Sequence, residues 1–229
     1  MALKENRSEQ RLIFWVIGCH NAIKRIDSII KIEYMFIRKK LWPLVIVNAA
    51  VLSLFTGFFI QQHNNEFLIY VGVVIFFFIV LLLSDKKVTY PLDVLWGLSI
   101  WAFMHVAGGG IFLNGVKLYE TMLVTFSESY NIFRYDQLVH IIGFGVATYL
   151  MYVLLKPLLK EGKLGWVRLG IVVVMAGLGV GAFNEIVEFT LTVILPETGV
   201  GGYINTSLDL VADAIGALLA LWYIKIRNK

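Results

Sequence analysis

The sequence predicts an all-α protein, a polytopic transmembrane helical bundle of about six spans with both termini cytoplasmic and a basic amphipathic segment ahead of it. Three observations carry this. Of 229 residues, 59% are hydrophobic and 16% charged, with a mean hydropathy of +0.77, which is too apolar for a soluble domain of this length. Six apolar runs are each long enough to cross a hydrocarbon core of ~30 Å, which takes roughly 20 helical residues. Finally, with the first terminus inside, all but Lys117 and Arg134 of the 20 lysines and arginines fall on the cytoplasmic side. The net charge of +4 therefore reads as membrane topology and not as a nucleic-acid surface. The runs do not alternate apolar and polar residues, which excludes a transmembrane β-barrel of ~10-residue strands.

The elements follow in order. Residues 1–40 form the basic cytoplasmic segment, whose longest purely apolar run, 12–18, is too short to span or to act as a signal core. Ala22, Ile26, Ile29, Ile30 and Ile37 recur at helical spacing, opposite Lys24, Arg25, Asp27, Ser28 and Lys31. An amphipathic helix on an anionic inner leaflet is expected there, with a partner-binding extension as the alternative. The segment also holds the single cysteine, Cys19, so neither an intramolecular disulfide nor a thiolate-rich zinc site is available.

The transmembrane domain, 41–229, is expected to span at 41–60, 67–84, 91–115, 136–155, 167–195 and 207–226. Connections are short except for 116–135, an outside loop carrying Tyr119, Phe126, Tyr130, Phe133 and Tyr135. Aromatic residues prefer the headgroup level, so this loop reads as an interfacial anchor or as a lid over an outward-facing site. The glycine-rich stretch 196–206 would be its mobile partner. No internal repeat points to an inverted-repeat transporter.

An ionisable group inside a span costs a few kcal/mol, so each asks for a partner or a function. The third span carries His105, followed by Gly108, Gly109 and Gly110. The fourth opens with Tyr135 and Asp136 and reaches His140 one turn later. The fifth holds Asn184, Glu185 and Glu188, and the last begins with Asn205, Asp209 and Asp213. Residues three or four apart share a helix face, so Asp136 with His140, Glu185 with Glu188, and Asp209 with Asp213 each point one way. Gly143, Ala147, Gly177, Gly181, Gly216 and Ala220 continue these faces, and small residues at such spacing let helices approach closely in lipid. Counting the helical rise from the outer ends, Glu188 and Asp213 lie roughly 12 Å deep, His140 roughly 6 to 9 Å and His105 about 14 Å. Four helices thus share one polar layer in the outer half of the membrane, to which the first two spans are expected to contribute nothing.

Asp136, Glu185, Glu188, Asp209 and Asp213 bring a formal charge near −5, and the basic residues within the spans, Arg168 and Lys225, stand at the cytoplasmic ends, too far away to answer it. Such a layer must hold cations, protons or both. Carboxylates and imidazoles converging from several helices are also the ligand set of one or two divalent metal ions, Zn, Mn, Fe or Mg. The candidate ligands are His105, Asp136, His140, Glu185, Glu188, Asp209 and Asp213, with Glu185 and Asp136 also able to serve as catalytic bases. Asn184 and Asn205 are candidate outer partners, and Tyr135, Arg134 and Lys117 stand at the rim toward substrate. The competing reading makes Asp136 and Asp209 helix caps, His105 a structural hydrogen-bonder and Asp93 an interfacial acid.

The string Tyr135-Asp136-Gln137-Leu138-Val139-His140 with Gly143, together with His105 and its glycines, Asn184-Glu185-Ile186-Val187-Glu188, and Thr206-Ser207-Leu208-Asp209 with Gly216, resembles the YjdF-like family of bacterial inner-membrane proteins. The likeness covers roughly 41–221. It implies a compact helical bundle in a bacterial cytoplasmic membrane and marks these acids and histidines as the functional set, without supplying an activity. Two positions depart from the family pattern, which often has Asp at Asn205 and a non-acidic residue at Asp213. A more distant resemblance to VanZ-like membrane proteins rests on the last two spans.

The function expected from these residues is a metal-dependent membrane enzyme acting on a lipid or lipid-linked substrate by hydrolysis or group transfer, with di-iron oxidation suiting the ligands equally. A proton- or cation-coupled carrier, working as a homo-oligomer, and a non-catalytic membrane partner with a structural metal are the alternatives. The carrier predicts polar residues continuing inward, whereas the inner halves of the spans are apolar apart from Ser99, Thr148 and Tyr149.

Overall fold

The computed structural model describes residues 37–127, 130, 132–159 and 165–227. The amphipathic helix expected around residues 22–31 lies outside the described residues. Of the first compact unit, Met1–Trp42, the described part holds a 3-10 turn at Lys39–Leu41. The second unit, Pro43–Lys229, holds almost everything else.

Among the described residues six long helices occur in chain order: α1 (Trp42–Gln61), α2 (Asn65–Val88), α3 (Leu92–Gly110), α4 (Tyr135–Leu155), α5 (Trp166–Ile194) and α6 (Tyr203–Arg227). All six are long and apolar enough to cross a membrane. Their ends are set by local chemistry. Asn64 caps α2 by accepting from Phe67 N–H at 3.1 Å, after a tight turn in which His63 adopts φ 51. At the far end of α2 the buried Asp85 accepts from Tyr90 N–H at 3.1 Å, fixing the turn that leads through Pro91 into α3.

The third helix is shorter than expected. It stops at Gly110, and residues to 117 form a small antiparallel hairpin, β1 (Phe112–Leu113) and β2 (Val116–Lys117). Asn114 and Gly115, both at positive φ, make its two-residue turn, the Asn-Gly pair that a right-twisted hairpin requires. A 3-10 turn at Leu118–Glu120 follows, and an isolated bridge pairs Met122 with Arg134. The last helix begins earlier than expected, taking Tyr203 to Thr206 from the glycine-rich connection.

Within the second unit α4 is central, packed against α3, α5 and most extensively α6. Lipid provides no hydrophobic drive for helices to associate, so close van der Waals fit must do it, and small residues make the fit. Gly145 and Gly216 place the α4 and α6 backbones against one another: a Cβ on Gly145 would sit 3.1 Å from Gly216 O, and one on Gly216 would run into the Ile141 carbonyl and Gly145 N. Gly177 of α5 leaves the space filled by Thr148, which is fully buried, and Gly181 leaves the space filled by the Asp213 carboxylate. Gly143, expected on the same seam, instead receives the Trp101 indole of α3. Gly108, Gly109 and Gly110 receive the rings of Tyr119, Phe67 and Phe55. An aromatic and aliphatic cluster including Phe59, Phe67, Tyr70 and Val106 joins α1, α2 and α3, supplemented by an Asn48 Nδ2 bond of 2.7 Å to Ser99 Oγ.

Replacing Gly216 by Leu should force α4 and α6 apart and cost about 1–3 kcal/mol or more, seen as a lower unfolding midpoint in detergent. Gly179→Leu, at a position with nothing within 4 Å, should leave the midpoint near wild type. Equal effects at the two positions would show that the α4–α6 approach is not limiting.

Candidate functional site

His140 lies in the second turn of α4, 6% exposed, because it faces α6 across the small-residue seam. Its Nδ1 is 2.9 Å from Asp213 Oδ1, so the imidazole N–H donates to a fully buried carboxylate. A proton on Nδ1 leaves the Nε2 lone pair free, and Nε2 faces Asp136 Oδ1 at 3.8 Å.

Three amides tie the acids together. Gln137 Nε2 donates to Asp209 Oδ1 at 3.1 Å, and Asn205 Nδ2 donates both to Asp209 Oδ2 and, at 3.3 Å, to Asp136 Oδ2. On α5, Asn184 Nδ2 donates to Glu188 Oε1 at 2.8 Å and lies 3.5 Å from Glu185 Oε1. Asp209 lies well inside α6 and is fully buried, so helix capping does not account for it. Asp136 does sit in the first turn of α4, where the helix dipole favours a negative charge.

The result is two groups sharing one imidazole. Ligand atoms of Asp136, His140 and Asp209 lie within 4.8 Å of one another, as do those of His140, Glu185 and Glu188. Asp213 Oδ2 and Glu185 Oε2 are buried with no hydrogen-bond partner among the described residues. Their residues are 0% and 9% exposed, so water does not satisfy them cheaply, and an orphaned buried carboxylate oxygen is costly. A donor set of several carboxylates and one imidazole with spare lone pairs matches what a divalent cation takes.

His105 does not join either group. Its Nδ1 is 2.5 Å from Tyr119 Oη, and its ring stacks on Trp101 with centroids 5.5 Å apart and meets Tyr70 edge-on at 5.0 Å. Burial, then the nearby carboxylates of Asp136 and Glu188, push the Tyr119 phenol well above its ordinary range, so it stays protonated and donates to His105. Tyr135 donates to the Met104 carbonyl at 3.2 Å and braces α4 against α3.

A cleft of about 70 Å³ connects these parts. His105, Lys117, Tyr119, Arg134, Asp136, Glu188 and Asn205 line it, so the rim residues expected from sequence do converge with part of the acid layer. The second span also contributes, against expectation: Glu66, Phe67 and Tyr70 of α2 form a wall. Glu66 is 8% exposed and its Oε2 accepts from Gly199 N–H at 2.8 Å, tethering the 195–202 connection to α2.

Three residues of the site were not singled out from the sequence. Glu66 lies at the very start of its span, where an acid reads as a first-turn residue, and its partner is 133 positions away. Gln137 shared a face with His140 at a spacing of three, which was a usable signal. Tyr119 was read only as part of an aromatic loop.

Membrane-length helices closed around a buried layer of carboxylates, amides and imidazole define a polytopic integral membrane protein with an intramembrane polar site. The family match agrees. The chain belongs to the family described as predicted membrane protein (DUF2238), which matches residues 43–229 and is consistent with the YjdF-like resemblance. The comparisons give nothing for the VanZ-like one. No curated protein and no solved structure matches the chain.

Gln137 also accepts from Arg134 N–H at 2.6 Å, so its amide serves two partners, the buried Asp209 carboxylate and a half-buried backbone N–H. Gln137→Leu, close in size, should leave both unmet and lower stability by about 1–3 kcal/mol, measured as a drop in unfolding midpoint. An unchanged midpoint would mean that the Asp209 carboxylate is satisfied some other way.

Proposed function

We propose that this protein binds one or two divalent cations, Zn, Mn, Fe or Mg, around His140 and acts as a membrane enzyme on a lipid or lipid-linked substrate, by hydrolysis or group transfer. The observation that carries the reading is the pair of overlapping acid groups sharing His140, with two buried carboxylate oxygens left unpartnered. In this reading Asp136, Asp209, Glu185 and Glu188 would hold the ions, His140 would supply its one free nitrogen, Nε2, to a single ion, and Asp213 orients the ring from its other nitrogen, the arrangement that commonly supports a metal-bound histidine. A bound ion would supply Lewis-acid polarisation and a more acidic water.

The protein's own groups suit that chemistry. Asp136 reaches the cleft, whereas Asp209 and Asp213 are sealed, so Asp136 is the carboxylate best placed to take a proton from a bound reactant. Glu185, with its unshared Oε2, is the second candidate. His105 and Tyr119 stand across the cleft as a hydrogen-bonded donor pair. The opposite ends of the helices support a one-sided site over a carrier. There Tyr152, Leu169, Val173 and Ile224 pack into an apolar cluster, and Asp93 of α3 is held by Arg227 and by Tyr223 Oη at 3.1 Å.

The natural setting is a bacterial cytoplasmic membrane with the cleft facing outward, an orientation supported by the lysine and arginine distribution. In a Cys19→Ser background, a cysteine at Glu197 should react with a membrane-impermeant maleimide in intact cells, and one at Leu158 only after lysis. The reverse pattern would invert the topology.

Metal content decides the main reading. Plasma mass spectrometry of detergent-purified wild type should find one or two equivalents of a divalent metal, lost in His140→Ala and Glu188→Ala. Wild type free of metal, after purification without chelators, would leave the acids protonated and move the carrier reading ahead.

A further inference from the structure

The rim of the cleft carries a charge pattern that the acid layer does not explain. Lys117 and Arg134 both line the cleft, and neither forms an ion pair among the described residues. Both are held in place by backbone. Lys117 lies in β2, paired with Phe112, and Arg134 is bridged to Met122 directly before α4. The wall beside Lys117 is Gly199, where a Cβ would stand 3.2 Å from Nζ. A side chain there would crowd both the ammonium and the Glu66 carboxylate, whose Oε2 would stand 3.5 Å away.

We infer that the cleft is a binding site for a phosphate-bearing headgroup, which Lys117 and Arg134 engage together once a divalent cation occupies the acid layer beneath. This rests on the metal reading above and names the substrate class for the same site. The order of binding follows from charge. Glu66, Glu120, Asp136 and Glu188 also line the cleft, four carboxylates against two cations, so an anion is repelled until a divalent ion offsets them. With the ion present the formal charges lining the cleft sum to zero, leaving the deeper Glu185, Asp209 and Asp213 to the ion and the amides, and the guanidinium fork and ammonium can bind non-bridging oxygens. A phosphate monoester offers three such oxygens and can reach both cations and the ion, whereas a carboxylate has two. The rim of the site lies where α3 ends, a hairpin begins and α4 starts, the level expected for headgroups, and Phe67 and Tyr70 in its lining suit the apolar part of a lipid.

The test uses full-length protein in detergent and in nanodiscs. Glycerol 3-phosphate should raise the unfolding midpoint of manganese-loaded wild type, and have no effect on protein stripped with chelator. In Lys117→Gln/Arg134→Gln the metal content should stay at the wild-type level while phosphate affinity falls about tenfold or more. Should the double variant fail to fold, Lys117→Gln alone is expected to keep the metal and weaken the phosphate response. Nanodiscs with and without phosphatidic acid separate the sources. A midpoint shift with the lipid alone assigns the phosphate to a membrane headgroup, and a shift with both ligands assigns recognition to the phosphate itself. Metal-loaded wild type that responds to neither, or a double variant that responds as wild type does, overturns the inference while leaving the metal reading intact. Metal-free wild type overturns both.

Discussion

A carboxylate sunk into a membrane has few ways to lower its energy. It can take a proton, accept hydrogen bonds from donors fixed nearby, or sit beside a cation, and the lysines and arginines of the spans, among them Lys86, Arg168 and Lys225, lie near the helix ends opposite the acids. The structure uses the second route as far as the donors reach. Gln137, Asn184, Asn205 and the His140 N–H together serve Asp209, Glu185, Glu188, Asp136 and Asp213. The donors run out before the acceptors do, which is why Asp213 Oδ2 and Glu185 Oε2 stand unpartnered. Unpaired burial costs several kcal/mol per ionised group, so the described side chains leave the layer incompletely satisfied.

Close helix packing is what makes that layer compact. Asp213 reaches His140 only because Gly216 and Gly145 bring α6 and α4 into backbone contact a turn below, and because Gly181 yields the space that the Asp213 carboxylate fills. The same small residues that replace the hydrophobic effect as the source of association also set the distances between the acids and His140. A side chain added to this seam would act on stability and on the site together, through one displacement. The α3 glycines serve a separate purpose, seating Tyr119 and Phe67, and with them His105, on the other wall of the cleft.

The shared level of the acids and histidines along the helices was legible in the sequence, and rotation was not. Six apolar runs and the alternating direction of the spans were enough to place His105, His140, Glu188 and Asp213 in one layer, because helical rise converts residue count into distance. Which way His105 turns depends on side chains from other elements, Trp101 at its own spacing of four but Tyr119 from the loop, and no periodicity encodes that. Gly143 illustrates the same limit: on a central helix surrounded by partners, a small residue can serve any of them. The hairpin was hidden for a different reason. Asn114-Gly115 carries a strong turn signal, but its apolar flanks merged with the third span. Glu66 escaped because long-range backbone acceptance leaves no local trace.

The two ends of the bundle are built to different rules, and the contrast bears on what the protein can do. At one end the charged groups are unequal, acids outnumber bases, and Lys117 and Arg134 are left open to a cleft. At the other, Asp93 is answered directly by Arg227, with Tyr149 Oη 3.0 Å from the guanidinium and Tyr223 Oη 2.9 Å from it. That second cluster is satisfied and joins α3, α4 and α6, so it serves as a clamp. A pathway through the bundle would need the clamp, the buried Thr148 layer and the apolar cluster around Val173 all to open, at the cost of the contacts that hold α4 against α6. Binding and release at the acid-rich end need none of this. Among the described residues the Glu66 to Gly199 hydrogen bond joins two walls of that cleft, and a single hydrogen bond to a charged group is worth about 1.5–3 kcal/mol, a barrier that a ligand with its own affinity for the cleft would overcome.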